Sequence, residues 1–541
     1  MSRRVYLAAL GGGGYADGTS SFPLFPQLKE AAMTTGSHDY DRREFLQSIA
    51  RRAAVGGLAG SGLVGSLWGA PVRFPLDAQL VMWTIQHTPR EKVVEAAVEM
   101  LRRGVTYKEF LRGLFLEGVR EINPHPPGFK LHAVLSMSAV KQISQELTES
   151  TRWLPLIWSF DNLKGAVEQD TKEGNFVLSE FEGEIPAPSK AIEQFHAGME
   201  AWDLEQAEGA LISLIRSRGA NEVIELLWLY GARDYRNIGH KAIIVSNAWQ
   251  TLQMIGWDSA EPVLRSSLSS LLDFGPNEVV NKYAYEDQCY LSNKQTAEAE
   301  FGTLPDDWAV GTAIDSDATP RLVESMRTKS LAEVRGEIMA LLKSGEIHGD
   351  SVWDAVHLSA GEMMIRLPGI YPLHAVTSSH ALHYAYRNSA VPLTRLILLL
   401  QGVGWVLQFR DFIETQPNLP PSIDILSLKR GPIPQEADLA AQDIFHALPR
   451  SIPEATGMAY SFGNQFYTDE AFRREARELV AKKGTDAHDY KFAAAMFDLL
   501  DWTHMEWKPQ LLAIAVQHLP GVRTVDPELI VRAKAALKHS A

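Results

Sequence analysis

From residue 75 onward the apolar positions recur at intervals of three and four. Val93, Val94, Ala97, Val98 and Leu101 fall on one helical stripe, and Leu211, Leu214 and Ile215 fall on another. Good helix formers dominate these stretches. Alternating runs bounded by hairpin turns are scarce. Proline and glycine gather between the periodic segments, as in Pro124-His125-Pro126-Pro127-Gly128, where they punctuate helices. The pattern predicts an all-α fold.

Comparing the chain with itself gives a repeated template. An amphipathic helix is followed by a short glycine break, a second helix, a loop, and then a helix that begins at a histidine. The first copy runs Glu95–Arg103, Gly104, Tyr107–Val119 and His132. The second runs Glu208–Arg218, Gly219, Glu222–Tyr230 and His240. The third runs Leu331–Lys343, Gly345, Ser351–Ile365 and His374, and a weaker fourth runs Glu470–Lys483, Gly484 and His488. The leading histidines lie 108, 134 and 114 residues apart. Seven residues after each comes Ala139, Asn247, Ala381 or Ala495, close to two helical turns on and so on the same face. The expectation is four degenerate helical units of roughly 110 residues, stacked as a solenoid or closed into a toroid-like bundle. Their bounds are 75–190, 191–300, 325–415 and 436–541, packed as one domain.

Composition narrows the function classes. The 541 residues carry 66 Asp/Glu against 52 Lys/Arg, net −14, which argues against a nucleic-acid partner because such proteins need a basic footprint. The single cysteine, Cys289, rules out an intramolecular disulfide and a thiolate cluster. No stretch past residue 80 approaches 18 uninterrupted apolar residues, so the mature chain is expected not to span a membrane.

Residues 1–70 differ from the rest. They hold seven Lys/Arg and five Asp/Glu, a local +2 against −16 for the remainder. Asp41-Arg42-Arg43-Glu44-Phe45-Leu46 resembles a twin-arginine export signal. A glycine-rich apolar run, Ala53 to Leu67, and Trp68-Gly69-Ala70-Pro71 follow it. Trp68 is bulky for a position three residues before cleavage, and the arginine pair lies far from Met1 unless Met33 is the true start. The expectation is a leader read by the twin-arginine export machinery and a periplasmic or exported mature protein.

Four imidazoles near helix N-termini are candidates for chemistry. The positive end of the macrodipole disfavours their protonation, and a neutral ring is what a metal ligand or a general base requires. His132, His240, His374 and His488 are therefore the candidate catalytic residues, weighed against a plain role as loop anchors. His380 and His383, at i and i+3 on one face, offer half of a metal site. Arg236, within Arg233-Asp234-Tyr235-Arg236, and Tyr371 are candidate substrate contacts. Several cofactor motifs are missing: no GxGxxG opens a helix after a strand, and no GxxxxGK[ST], GxSxG or CxxCH occurs; the last absence excludes covalent haem.

The segment Leu373-His374-Ala375-Val376-Thr377-Ser378-Ser379, together with the other histidine-led helices, resembles the questin oxidase-like family of helical proteins. The likeness covers residues 90–520 in layout and only short stretches in residues. It implies an all-α fold and oxygen-dependent chemistry on an aromatic substrate, with NADPH or a non-covalent metal as the cofactor and His240 and His374 in front-line roles. An export leader departs from that family. The expected function is an exported oxidoreductase acting on an apolar, aromatic small molecule in a histidine-lined cavity. The competing expectation is a helical-repeat binding or scaffold protein of the cell envelope.

Overall fold

The computed structural model describes residues 74–273, 285–311 and 317–538. The expected leader, with its arginine pair and cleavage point, lies outside these residues. Twenty-three α-helices are present and no strand occurs among the described residues, which gives the all-α class predicted from the periodicity. The described residues fall in one compact unit.

The paired helices of the sequence template are present in three places. They are Val93–Arg102 with Tyr107–Glu121, Leu204–Ser217 with Ala220–Arg233, and Leu331–Ser344 with Gly349–Arg366. Local chemistry sets their starts. Thr106 and Glu109 form a reciprocal capping box at the head of Tyr107–Glu121, and Ser330 and Glu333 do the same for Leu331–Ser344. The fourth copy differs, because Glu470–Lys483 leads straight into Ala487–Trp502 with no second helix between them.

The helices that carry the leading histidines are neighbours in space. His240–Ile255 packs on Ile370–Asn388, which packs on Ala487–Trp502. That helix packs on Met137–Ser144, which returns to His240–Ile255. The first histidine-led segment is broken at Ser136 into His132–Leu135 and Met137–Ser144. The third does not begin at its histidine. Its helix is Ile370–Asn388, so His374 sits in the second turn, because Gly369 and Pro372 start the helix earlier than the histidine spacing implies.

Outer helices cover this inner set. Ala220–Arg233 lies on His240–Ile255, while Gly349–Arg366 and Pro392–Ile413 lie on Ile370–Asn388. Pro392–Ile413 is the one helix among the described residues long and apolar enough to cross a membrane, and 83% of its apolar window is buried against its neighbours. The last helix, Glu528–Lys538, returns to pack on Val93–Arg102 and Leu154–Glu173.

Candidate metal centre

Each leading histidine is held by an oxygen two to four residues before it. His132 Nδ1 is 2.7 Å from the Phe129 carbonyl, His240 Nδ1 is 2.5 Å from the Asn237 carbonyl, and His374 Nδ1 is 2.7 Å from the Ile370 carbonyl. His488 Nδ1 is 2.5 Å from the Asp486 carboxylate. Two glycines make these connections possible. Gly128 adopts φ +107° and lies flat against the His240 ring, where a Cβ would stand 3.1 Å from Cε1. Gly239 adopts φ +80°, and a Cβ there would meet Ser378 at 2.5 Å.

The opposite nitrogens meet. His240 Nε2 lies 3.1 Å from His132 Nε2 and 3.2 Å from His374 Nε2, and the ligand atoms of these three residues all lie within 4.8 Å of one another. The fourth ring stands beside them, its centroid 4.5 Å from that of His132 and 5.2 Å from that of His374. His488 Nε2 is buried and has no hydrogen-bond partner. His240 and His374 are buried, while His132 and His488 keep part of their rings at the surface.

The tautomers follow from the anchors. A carbonyl or carboxylate oxygen only accepts, so Nδ1 must donate in all four rings. In a neutral ring Nε2 then presents its lone pair. Lone pairs facing one another at 3.1 and 3.2 Å repel unless a cation lies among them. A proton is a poor candidate for that cation. Burial, with the Lys491 charge adding to it, lowers His240 to about 3, and burial first holds His132 and His374 well below the usual imidazole range. The two edges of 3.1 and 3.2 Å suit nitrogens that share an ion at ligand distances of about 2.0–2.1 Å. Imidazole ligands with their second nitrogen tied to an oxygen are the common arrangement around zinc, copper, iron or nickel.

Below the rings runs a narrow cleft lined by the faces of all four histidine-bearing helices. Ala139, Asn247, Ala381 and Ala495, the residues seven positions after each histidine, all line it. Asn247 ties the cleft together: its amide donates to the Leu135 carbonyl at 2.8 Å and its oxygen accepts from Ser138 Oγ at 2.9 Å. Lys491 and Thr377 also line the cleft, and neither Lys491 Nζ nor Thr377 Oγ1 has a hydrogen-bond partner. Burial lowers the Lys491 amine to about 7.

Of the other sequence candidates, His380 lines the same cleft, while His383, Arg236 and Tyr371 are not among its lining residues. His380 Nε2 bonds Asp498 at 2.8 Å, and its ring stacks on Trp502. His383 Nδ1 instead faces His357 Nε2 at 2.9 Å, and its ring stacks on Trp353. The two i, i+3 histidines thus have different partners. Arg236 is fully buried and spends its terminal nitrogens on Asp234 and Asp287, while Lys241 joins Asp234 from the other side. Its surroundings are those of a buried ion network. Tyr371 stacks on Phe412 at 4.1 Å.

Sequence reasoning did not single out Asp486, Lys491 or the His357–His383 pair. Asp486 had a readable signal, since a carboxylate two residues before a helix-leading histidine serves as N-cap and ring acceptor together. Lys491 lies one turn after His488, and nothing in its spacing distinguishes it from a surface lysine. No family model matches the chain, and no curated protein or solved structure shows significant similarity to it.

Proposed function

We propose that the chain is a metal-dependent oxidoreductase acting on an apolar small molecule, with one transition-metal ion held by His132, His240 and His374 and with His488 as the fourth nitrogen. The observation that carries this reading is the meeting of Nε2 lone pairs from residues more than a hundred positions apart. A purely structural role accounts for the Nδ1 bonds, since each ring ties down an oxygen two to four residues before it. It gives no reason for the opposite nitrogens to share one point. The metal is assigned here rather than to His380 and His383, which turn to different partners: His380 Nε2 to Asp498 and His383 Nδ1 to His357.

The protein's part in such chemistry is definite. The four anchors fix each ring's tautomer and direction, and burial keeps His132, His240 and His374 neutral at physiological pH. A bound iron or copper ion supplies Lewis acidity and one-electron chemistry at that point. The described residues contain no strand and hence no βαβ cradle for a dinucleotide, so no step is routed through NADPH.

Three further readings go with the function. The four histidine-bearing segments are degenerate units closed into a ring, supported by the contacts of the inner helices and the return of Glu528–Lys538 to Val93–Arg102. The leader is a twin-arginine export signal, supported by Arg42-Arg43 and the apolar run after it. The mature protein then works outside the cytoplasm, with no nucleic-acid partner.

Metal analysis tests the reading directly. Purified chain, stripped and then dialysed against Fe(II), Cu(II) or Zn(II), is expected to retain about one ion per chain. His240→Ala with His374→Ala is expected to retain none while keeping its helical circular dichroism. Failure of the unmodified chain to hold any of the three ions overturns the reading.

A further inference from the structure

Three lysines are buried among the described residues: Lys130, Lys241 and Lys491. Two of them have a carboxylate at 2.7 Å, Asp170 for Lys130 and Asp234 for Lys241. Lys491 is 6% exposed, and its Nζ has no hydrogen-bond partner among the protein's groups. Asp486 acts on it through space, but that carboxylate already takes the His488 ring and the His488 amide. A buried amine left unpaired costs stability, and the protein supplies no partner to offset it.

Lys491 lines the cleft beneath the rings, and so does Thr377 from the helix Ile370–Asn388. Thr377 is 5% exposed, and its hydroxyl is also without a partner. A threonine inside a helix commonly donates to the carbonyl three or four residues back. Thr251 Oγ1 does so to Asn247 and Thr456 Oγ1 to Ile452, each at 2.7 Å; Thr377 makes no such bond. Polar neighbours in the same cleft are committed: Ser246 Oγ donates to the Ala381 carbonyl, Gln142 Nε2 donates to Asp498, and His380 Nε2 meets the same carboxylate. Lys491 and Thr377 are thus two donors left over in one enclosed place. The free space there is about 20 Å³, room for one or two water-sized groups and too little for an aromatic ring.

We propose that this cleft is a binding site for a small oxyanion of about three heavy atoms, a formate-sized carboxylate, held by hydrogen bonds from Lys491 Nζ and Thr377 Oγ1. An ionised acceptor answers both donors at once and supplies the charge that the buried amine lacks. The Lys491 charge is felt by His132, His240 and His374, so the anion sits within electrostatic reach of the rings without being bound by them. The site stands on Lys491 and Thr377 and goes beyond the metal reading, since it needs no ion among the histidines.

Calorimetric titration of the full, chelator-stripped chain with sodium formate tests it, with sodium benzoate as the bulky counterpart. The expected result is one formate per chain, roughly tenfold weaker binding in Lys491→Met, about threefold weaker binding in Thr377→Val, and recovery in Thr377→Ser. Benzoate is expected to bind roughly tenfold more weakly than formate. Helical circular dichroism is measured on every variant, and formate is expected to raise the melting temperature of the wild type and not that of Lys491→Met. No formate binding, wild-type affinity in Lys491→Met, or equal binding of benzoate overturns the proposal. Formate binding that survives Lys491→Met and disappears in His240→Ala with His374→Ala belongs to the rings and sinks the pocket. Lys491-dependent binding in a chain that retains none of the three metal ions upholds the pocket while the metal reading falls.

Discussion

Asp486 accepts the Nδ1–H of His488 at 2.5 Å and is the one carboxylate among four anchors that are otherwise backbone carbonyls. It also caps the helix Ala487–Trp502 through the His488 amide. Asp486→Ala is expected to lower metal affinity by roughly 10- to 100-fold, the usual effect of removing a partner that orients a ligand ring. It should also cost about 1 kcal/mol through loss of the cap. Asp486→Asn keeps an acceptor oxygen and should fall between. Chelator competition measures the first effect and thermal melting the second; undiminished affinity in Asp486→Ala removes His488 from the ligand set.

Acid should destabilise the metal-free protein early. Burial first lowers His240 and His357 to about 3 and holds His132, His374 and His383 well below the usual range. In the unfolded chain these rings titrate near pH 6.5. Below that pH the unfolded state takes up protons that the folded state refuses, so stability falls as pH drops from about 6.5 towards 3, by up to about 1.4 kcal/mol per pH unit for each ring. Denaturant midpoints at pH 7.5, 6.5 and 5.5 give the slope. The double variant His357→Phe, His383→Phe should flatten it visibly, and a bound metal ion should raise the midpoints while leaving the slope in place, because the rings are unprotonated in the folded state with or without it.

Lys491 gives the opposite end of the pH scale. Its amine is lowered to about 7 by burial, against about 10.5 in the unfolded chain. Between those values the unfolded state binds the extra proton, so the wild type gains stability as pH rises from 7 to 10. Lys491→Met fills similar space without the charge. It is expected to raise stability at pH 7 by a few kcal/mol, on the order set by a shift of this size, and to remove the rise. Melting curves at pH 7 and 9.5 decide it; a Met variant less stable than wild type at pH 7 shows that the amine is compensated.

Gly128→Ala acts on the hub of the cluster. The glycine's φ of +107° is strained for alanine, and the added methyl stands 3.1–3.4 Å from three atoms of the His240 ring. A loss of about 1–3 kcal/mol is expected, accompanied by weaker metal retention because His240 is the ring that touches both His132 and His374. Unchanged metal content in a destabilised variant separates the backbone effect from the ring effect.

The helices were legible in the sequence because apolar spacing of three and four is a local property, and the template of paired helices named the four histidines by their place in it. The meeting of their Nε2 atoms was not readable: it depends on inner helices drawn together from across the whole chain. The same limit shows at Arg236. Its neighbourhood, Arg233-Asp234-Tyr235-Arg236, reads as a substrate contact, yet its strongest partner is Asp287, 51 residues away. His380 and His383 share a helix face, and helix spacing does put them side by side; which partner each takes is decided by Asp498 and His357 on other helices.

The first ring of the cluster lies at position 132 and the last at 488. On the proposed metal reading, an amino-terminal fragment that stops short of residue 488 would lack the fourth nitrogen however well it folds, so the full set of four requires segments from across the described chain to meet.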